Sequence, residues 1–561
     1  MQLKLTLIFL VLLTSCSGRL ESISTEKAKT ISSNIYGGER VADGEWKSVV
    51  SISKLDSNDE VQSSFCTGTL IDEKTVLSAA HCFKRSKQYY INGSVITTVN
   101  VDATERSYTK IKDIRIHPHY QGEDSPFDFA IIDLVESAGI EESEIVSPSS
   151  IKEVSIGDSV HLVGFGKIED GSNGVKFEVE TNVREDQKVE FLAGGDGKDT
   201  CAGDSGGPAF IKNDNGEYEF FGVTSRAPDD ANTFCGDKTV YGKVSTALKW
   251  IRAEKIIDRA LEEDSLESIN LLKKAALELP KFFKTYKLLG EFYLKFDMLN
   301  EAVASLLAAS SMNLEDVKTI DLLRETYLRL GDEKSEITIL RRLLVLEPSN
   351  QTYFKRLESL GHADEAQIAR GIGFFKMESL HFAVMDLEGH RENPSAAFVL
   401  AFMKLKESDY KGALELLKGI EDGSLGIVNL RDGRGDTFLM TAVFEDQKEI
   451  VDELLRFNPS LNLLDSYGNN LAEVAWWARS FDLVKKFVSL GLEWNPDEYF
   501  EQFMVFITNQ YMDEVRFMLE MGIDINLVGP RGETAINLAK ETNNQELIEL
   551  VESYGKEKSI K

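Results

Sequence analysis

The chain has 561 residues, too many for one compact core, and this length predicts three or four domains. Apolar residues make up 42% of it and charged residues 28%, a composition that excludes a wholly disordered protein. Lysine and arginine number 63 against 93 aspartates and glutamates, which gives a net charge of −30. Because nucleic acids and anionic membranes attract clustered cations, this balance argues against a nucleic-acid partner or an anionic membrane surface.

The N-terminus has the pattern of an export signal. Lys4 precedes an apolar stretch at residues 5–13 that is too short to span a bilayer. The stretch ends in Leu-Thr-Ser-Cys, which resembles the bacterial lipobox, where a peptidase cuts before the cysteine and the thiol is lipidated. We therefore expect a lipoprotein signal peptide at residues 1–15 and a lipid anchor at Cys16. An ordinary signal peptide with an incidental cysteine is the alternative.

The polar residues 16–34 predict a tether or pro-segment. The expected location is the bacterial outer membrane, the cell surface or the periplasm, and Ser17 after the lipidated cysteine favours the outer membrane. Apart from Cys16 the chain has four cysteines, all before residue 240. An even set in an exported chain predicts two disulfides, so only the first domain is expected to be cross-linked.

From residue 35 to about residue 244 the sequence consists of short β-branched or aromatic runs broken by turn residues. Such runs lie at residues 48–52, 94–101, 159–165 and 218–224. Their spacing predicts an all-β barrel or sandwich. Near Ser245 the apolar period becomes helical and stays helical to the end of the chain.

Residues 256–425 resemble tetratricopeptide-like helical repeats. Two tyrosines at the same position of the pattern, Tyr293 and Tyr327, are separated by one full period of that repeat. An irregular helical bundle is the alternative. Either way the segment is expected to be all-α.

Residues 426–561 resemble ankyrin repeats. Residues 435–442 followed by 449–455 fit one copy, and Gly468 restarts the pattern one ankyrin period after Gly435. A later copy begins at Gly532, and the unit between them is degenerate around residues 496–509. Such repeats must stack to bury a core, and we expect them to present a continuous face to a protein partner. The pair Trp476-Trp477 is interpreted as core.

Three segments in the β-rich region carry a nucleophile, a base and a carboxylate in a recognisable order. His81 lies in Leu-Ser-Ala-Ala-His-Cys, Asp128 in Phe-Asp-Phe-Ala-Ile, and Ser205 in Gly-Asp-Ser-Gly-Gly-Pro. These motifs resemble the chymotrypsin/trypsin family of serine peptidases, whose triad runs His, Asp, Ser along the chain. Asp124 and Asp133 are rival carboxylates, but only Asp128 has the offset of the motif. The resemblance covers residues 35–255 and implies an all-β double barrel.

The resemblance also implies roles for neighbouring residues. The backbone N–H groups of Gly203 and Ser205 would form the oxyanion hole, and Ser225 would hydrogen-bond Asp128 and offer its backbone to the substrate. The implied disulfides are Cys66–Cys82 and Cys201–Cys235. Asp199, six residues before Ser205, matches the pocket aspartate that selects Arg or Lys.

Three residues depart from the family pattern around that pocket. Ala227 and Thr239 stand where trypsin-like pockets have glycines, so the pocket is expected to be narrower. Arg226 replaces a tryptophan, and it would repel a basic substrate residue or pair with an acidic one.

Activation is expected to depend on a cut before Ile35, which starts an Ile-Tyr-Gly-Gly motif typical of mature family members. The new amine would pair with Asp204, beside the nucleophile. Since the preceding residue is Asn34, another protease is expected to make this cut. The cut would also separate the enzyme from a lipid on Cys16. No cofactor and no metal site are expected, because the seven histidines are scattered and only His117 and His119 form a tight pair.

The sequence therefore predicts a multidomain protein in which an all-β double-barrel peptidase is followed by an all-α repeat solenoid. Its expected activity is hydrolysis of protein substrates after Arg or Lys, with the repeats binding a partner or the substrate. A first alternative is a catalytically weak scaffold whose repeats carry the function. A second is a repeat region that covers and inhibits the catalytic cleft.

Overall fold

The computed structural model describes residues 37–558, except 43, 59, 99, 101–107, 123, 168–172, 229–230, 232–234, 422–424 and 530–531. The predicted signal peptide, the tether, Cys16 and Ile35 therefore lie outside the described residues. The chain forms two compact units, the first comprising residues up to Asp264 together with Lys273–Phe282, and the second the remainder. In the described part of the chain, no helix combines the length and the apolar character that a membrane span requires.

The first unit begins with a closed six-stranded antiparallel barrel. The elements of its N-terminal half are β1 (Glu39–Arg40), β2 (Val49–Leu55), β3 (Val61–Asp72), β4 (Thr75–Ser78), α1 (Lys87–Gly93), β5 (Ser94–Thr97), β6 (Thr109–Ile116) and β7 (Ala130–Leu134). The barrel order is β2-β3-β4-β7-β6-β5, and β5 pairs with β2 to close it. Side chains of Val50, Leu70, Val76 and Ile132 fill its interior and are fully buried.

A second six-stranded barrel follows in the same unit. Its strands are β8 (Ser159–Gly164), β9 (Phe177–Asp186), β10 (Glu190–Gly194), β11 (Pro208–Lys212), β12 (Tyr218–Arg226) and β13 (Lys238–Lys243). They pair in the order β9-β10-β13-β12-β11-β8, and β8 also pairs with β9, while β1 adds to the outer edge of β9. Along β9 buried and solvent-facing residues alternate, as a strand with one face on the core requires. The predicted all-β double barrel is confirmed.

The helix after the second barrel is α2 (Val244–Glu263), which starts where the sequence changes to a helical period. It is tied to the first barrel by Arg115 of β6, whose guanidinium contacts Asp133 at 2.5 Å, Glu254 at 3.0 Å and Asp258 at 2.9 Å. The cation is almost fully buried, so these hydrogen-bonded partners offset the cost of removing it from water.

Helices make up the rest of the described chain, as the sequence predicts. They are α3 (Glu267–Glu278), α4 (Phe283–Lys295), α5 (Leu299–Met312), α6 (Val317–Leu330), α7 (Glu333–Leu346), α8 (Gln351–Ser359), α9 (Ala363–Lys376), α10 (Leu380–Leu387), α11 (Pro394–Lys406) and α12 (Tyr410–Lys418). Shorter helices follow: α13 (Phe438–Phe444), α14 (Lys448–Leu455), α15 (Leu471–Trp477), α16 (Phe481–Ser489), α17 (Phe500–Thr508), α18 (Met512–Glu520), α19 (Ala535–Glu541) and α20 (Gln545–Lys558).

Close packing joins neighbouring helices in the second unit. A Cβ added to Gly290 of α4 would lie 2.4 Å from Cγ of Leu306 in α5, so only glycine permits this approach. In this helix pair a residue without a side chain faces a large apolar one, and Leu306 is fully buried.

The C-terminal helices share a repeated entry turn. Before α13 the N–H of Gly435 donates to Asp432 O, and before α15 the N–H of Gly468 donates to Asp465 O. Thr437 and Asn470, which occupy equivalent positions one repeat period apart, each cap the following helix by accepting hydrogen bonds from backbone N–H groups of its first turn. Local sequence therefore specifies each turn and each helix start.

Candidate active site

Strand pairing brings His81 and Asp128 together. His81 lies in a short 3-10 helix, Ala80–Phe83, three residues after the end of β4, and Asp128 lies two residues before the start of β7. The two strands are antiparallel neighbours with Ser78 opposite Ala130. The segment that follows β4 therefore lies beside the segment that precedes β7, although 47 positions separate His81 from Asp128.

Asp128 holds the histidine with two hydrogen bonds. Its Oδ2 lies 2.7 Å from His81 Nδ1, and its Oδ1 accepts from the His81 backbone N–H at 2.9 Å. Ser225 Oγ donates to the same carboxylate at 2.6 Å. Burial raises the pKa of Asp128, but the hydrogen bonds and charge of His81 and the Ser225 bond outweigh it, so the pKa is lowered overall. The carboxylate stays ionised and directs Nε2 of the imidazole away from itself.

The loop between β10 and β11 presents Ser205. Thr67 of β3 anchors it, because the Thr67 N–H donates to Ser205 O and its Oγ1 donates to Gly203 O, both at 2.9 Å. Gly206 has φ +83°, and a Cβ there would lie 2.0 Å from Ser78 Oγ. The glycine is therefore required where this loop meets the first barrel.

The serine loop contains the backbone N–H groups of Gly203 and Ser205. Gly203 has φ +103°, and neither its N–H nor that of Ser205 donates to any residue that the structure describes. Free N–H groups beside a hydroxyl can stabilise an oxyanion that forms there.

Ser205 and His81 line one cleft of about 360 Å³, together with Ser225. Within the described residues the hydrogen bonds join His81 and Ser225 to Asp128, and none joins Ser205 Oγ to His81. Bonds of this kind are often long without substrate and shorten when it binds.

Both predicted disulfides are present, Cys66–Cys82 beside the histidine and Cys201–Cys235 beside the serine loop. Among the described residues, the side chains of metal-binding types whose ligand atoms lie close together are those of Cys66, His81 and Cys82. Since both sulfur atoms are bonded to each other, this group offers no thiolate ligands to a metal.

Asp199 lies under the cleft and is 1% exposed. Its Oδ2 accepts a hydrogen bond from Thr239 Oγ1 at 3.0 Å, and its Oδ1 has no partner in the described residues. Burial raises the pKa of this carboxyl to about 7. Thr200, Ala227 and Thr239 line the cleft above it, so the two residues that replace glycines form part of the wall.

Arg226 lines the cleft and also has a partner within the chain that the sequence did not predict. Its guanidinium forms two hydrogen bonds to Glu190 of β10, at 2.6 and 3.3 Å. The partner was missed because β13 separates the two strands, and nothing in the local sequence indicates their proximity. Of the rival carboxylates, Asp124 lines the cleft without bonding His81, and Asp133 is bound to Arg115.

Asp204 points away from the cleft and is fully buried. Its carboxylate accepts from Gly166 N–H at 2.7 Å and Cys201 N–H at 2.9 Å. Burial raises its pKa to about 6. Ile35, its predicted partner, lies outside the described residues.

Comparison with known proteins gives the following likenesses. The family model described as Trypsin matches residues 35–251. Trypsin Tyr p 3.0101 of Tyrophagus putrescentiae is 26% identical over 272 residues, covering 44% of this chain and 89% of that protein. The venom peptide isomerase heavy chain of Agelenopsis aperta is 27% identical over 248 residues, 39% of this chain and 98% of its own length. Human chymotrypsin-like elastase family member 1 is 25% identical over 250 residues, 41% of this chain and 95% of its own length.

Proposed function

Because residues 35–251 carry a trypsin-family domain, we propose that this protein is a serine endopeptidase with Ser205 as nucleophile, His81 as base and Asp128 as the residue that orients the base. The observation that carries the proposal is that His81, hydrogen-bonded to the buried Asp128, lines one cleft with Ser205. The backbone N–H groups of Gly203 and Ser205, which donate to no described residue, add to it.

In the proposed reaction Ser205 Oγ attacks the carbonyl carbon of the scissile peptide while His81 Nε2 takes the hydroxyl proton. Asp128 accepts the Nδ1–H bond and stabilises the imidazolium. The N–H groups of Gly203 and Ser205 donate to the oxyanion. The imidazolium then protonates the leaving amine, and a water molecule, deprotonated by His81, hydrolyses the acyl-enzyme.

The proposed substrate preference is Arg or Lys on the acyl side of the cleaved bond. Oδ1 of Asp199, which has no hydrogen-bond partner among the described residues, supports it, since a cation stabilises a buried carboxylate oxygen. A second candidate is cleavage after small residues. The observation that favours it is Thr239, which bonds the other carboxylate oxygen and forms part of the cleft wall.

Activation is proposed to follow a cut before Ile35. Asp204 supports this, because its buried carboxylate has hydrogen-bond donors but no cation among the described residues, and an inserted ammonium would neutralise it. If Cys16 carries a lipid, as proposed for a bacterial lipoprotein, the same cut would release the enzyme from the membrane. A fully active form beginning at Cys16 would contradict this sequence of events.

The helical unit is proposed to consist of tetratricopeptide-like and ankyrin repeats that bind a partner or substrate protein. The repeated entry turns before α13 and α15, and their spacing by one ankyrin period, support the ankyrin assignment. The rival function is a catalytically weak scaffold.

One experiment tests the peptidase and its preference. The full chain is produced with an engineered cleavage sequence directly before Ile35, processed, and incubated with a peptide library analysed by mass spectrometry. We expect cleavage after Arg and Lys, and none with Ser205→Ala. Cleavage after alanine or valine would select the second candidate, and a processed chain that cleaves nothing would favour the scaffold.

A further inference from the structure

A groove in the second unit lies between two consecutive turn-and-helix segments. The first segment is the turn before α13 with that helix, and the second is the equivalent turn before α15 with its helix. The cavity between them has a volume of about 870 Å³. We call it the aromatic groove and define it by Asp436, Phe444, Glu445, Asp465, Tyr467 and Trp477, which all line it.

Large apolar side chains are exposed along this groove. Phe444 is 61% exposed, Trp477 53% and Tyr467 89%. Phe444 ends α13 and Trp477 ends α15, so they are equivalent residues of successive segments. The core role expected for the tryptophan pair holds for Trp476, which is 5% exposed, and is wrong for Trp477. Clustered exposed aromatic side chains are typical of an interaction surface.

The groove is lined by more carboxylates than cations, because Asp432, Asp436, Glu445 and Asp465 face only Lys406 and Arg434. Lys406 is already bound to Asp432 at 2.6 Å and Glu378 at 3.0 Å, and Arg434 lies 3.7 Å from Glu378. By contrast Asp436, Asp465 and Glu445 have no salt bridge to any described residue.

The local electrostatics indicate which charge the groove would accept. Burial and the charges of Asp432 and Asp465 raise the pKa of Asp436, and together they outweigh the opposing effects of the Ser466 backbone hydrogen bond and the Arg431 charge. A cation placed between these carboxylates would relieve their repulsion, whereas an acidic segment would increase it.

We propose that the aromatic groove binds a basic segment of a partner protein, with an Arg or Lys against Asp436 and Asp465 and an apolar side chain between Phe444 and Trp477. Exposed aromatic faces beside carboxylates suit an arginine, which can pair with the acid and stack on the ring. The inference rests on the proposed binding role of the helical unit and names the chemistry of the partner. A second copy of this chain is disfavoured because each copy carries a net charge of −30.

The test uses the full chain with Ser205→Ala, so that a basic peptide is not cleaved and a failure of binding is separate from a failure of catalysis. The probe is a short fluorescein-labelled peptide of alternating arginine and leucine. A matched peptide has glutamate at every arginine. Binding is followed by fluorescence anisotropy at low and high NaCl, and circular dichroism checks that each variant is folded.

We expect the arginine peptide to bind, the glutamate peptide not to bind, and added NaCl to weaken the complex. Asp436→Asn should weaken it about fivefold and Trp477→Ala about tenfold, as expected for a charge and an aromatic anchor of an interface. Two exposed residues outside the groove provide matched controls, and Asp513→Asn and Leu490→Ala should leave the affinity unchanged.

Three results would overturn the proposal. Equal binding of both peptides would show that charge is not recognised. Unchanged affinity in folded Asp436→Asn and Trp477→Ala would place the peptide elsewhere. Sedimentation experiments could also show that the chain self-associates. If Trp477→Ala abolishes this self-association, the groove would be assigned to a second copy of the chain.

Discussion

The two units of this protein assemble their sites in opposite ways. In the β-barrel unit His81 and Asp128 come together because β4 and β7 pair, and Thr67 of β3 holds the Ser205 loop of the second barrel beside them. In the helical unit the aromatic groove is formed by consecutive turn-and-helix segments, each specified by its own turn and cap. Two disulfides brace the first unit, and the second has no cysteine. The proposed catalytic residues therefore depend on the integrity of both barrels, whereas the aromatic groove depends only on neighbouring helical segments.

Removing the proposed nucleophile should have the largest effect, and it should affect cleavage but not peptide binding. Ser205→Ala is expected to lower kcat/KM by about 10⁴-fold or more, because hydrolysis then has no covalent route. Peptide binding in the aromatic groove should stay at the parent affinity. Assays of cleavage and anisotropy on the same preparation check both. Residual cleavage at the parent rate would mean that another residue is the nucleophile.

Removing a disulfide should destabilise one unit alone. The double variant Cys201→Ala/Cys235→Ala is expected to cost the barrel unit about 2–5 kcal/mol of unfolding free energy, since the unfolded chain loses a cross-link. Differential scanning calorimetry of the full chain should show one transition moving to lower temperature. Far-UV circular dichroism assigns that transition to the β-rich unit. A shift of the helical transition by the same amount would show that the units unfold together.

A packing change between α4 and α5 should destabilise the helical unit and leave the β-barrel unit unchanged. Gly290→Ala places a Cβ 2.4 Å from Leu306 Cγ, and we expect a loss of about 1–3 kcal/mol from the helical unit because the core is overpacked. Gly389→Ala is the matched control, since its added Cβ meets nothing within 4 Å. The two variants are compared by urea unfolding. Equal stability of both would mean that α4 and α5 separate at little cost.

The smallest predicted effect concerns pH. The carboxyl of Asp199, with a pKa of about 7, is mostly neutral at pH 6 and mostly ionised at pH 8. The ratio of kcat/KM for an arginine substrate to that for a matched alanine substrate should therefore rise about tenfold over this range. Taking the ratio removes any pH dependence that is common to cleavage of both substrates. A ratio independent of pH would show that Asp199 does not contact the substrate.

The sequence predicted the parts of each unit that local motifs encode. Short runs of β-branched residues indicated the strands, and the segments around His81, Asp128 and Ser205 indicated which residues to look for in one cleft. Glycine and cap positions indicated the repeated turns before α13 and α15. These features can be predicted from the sequence because each depends on residues close together in the chain.

The features that the sequence did not predict depend on contacts across strands and helices. The pairing of Arg226 with Glu190 spans three neighbouring strands, and the bond from Thr239 to Asp199 spans 40 positions. Trp476 and Trp477 differ in burial because adjacent residues of a helix point about 100° apart, and only the packing of α15 determines which one faces the core. Residue identity alone carries none of this information.

The repeated entry turn has a consequence for how this protein can evolve. Each turn satisfies its own backbone groups and starts its own helix, so a duplication or deletion of one repeat can begin and end at equivalent positions without breaking a strand pairing in the barrels. The length of the helical unit and the side chains at its helix ends can therefore change by whole modules. A lineage could in this way alter the proposed binding surface while the cleft at Ser205 stays unchanged.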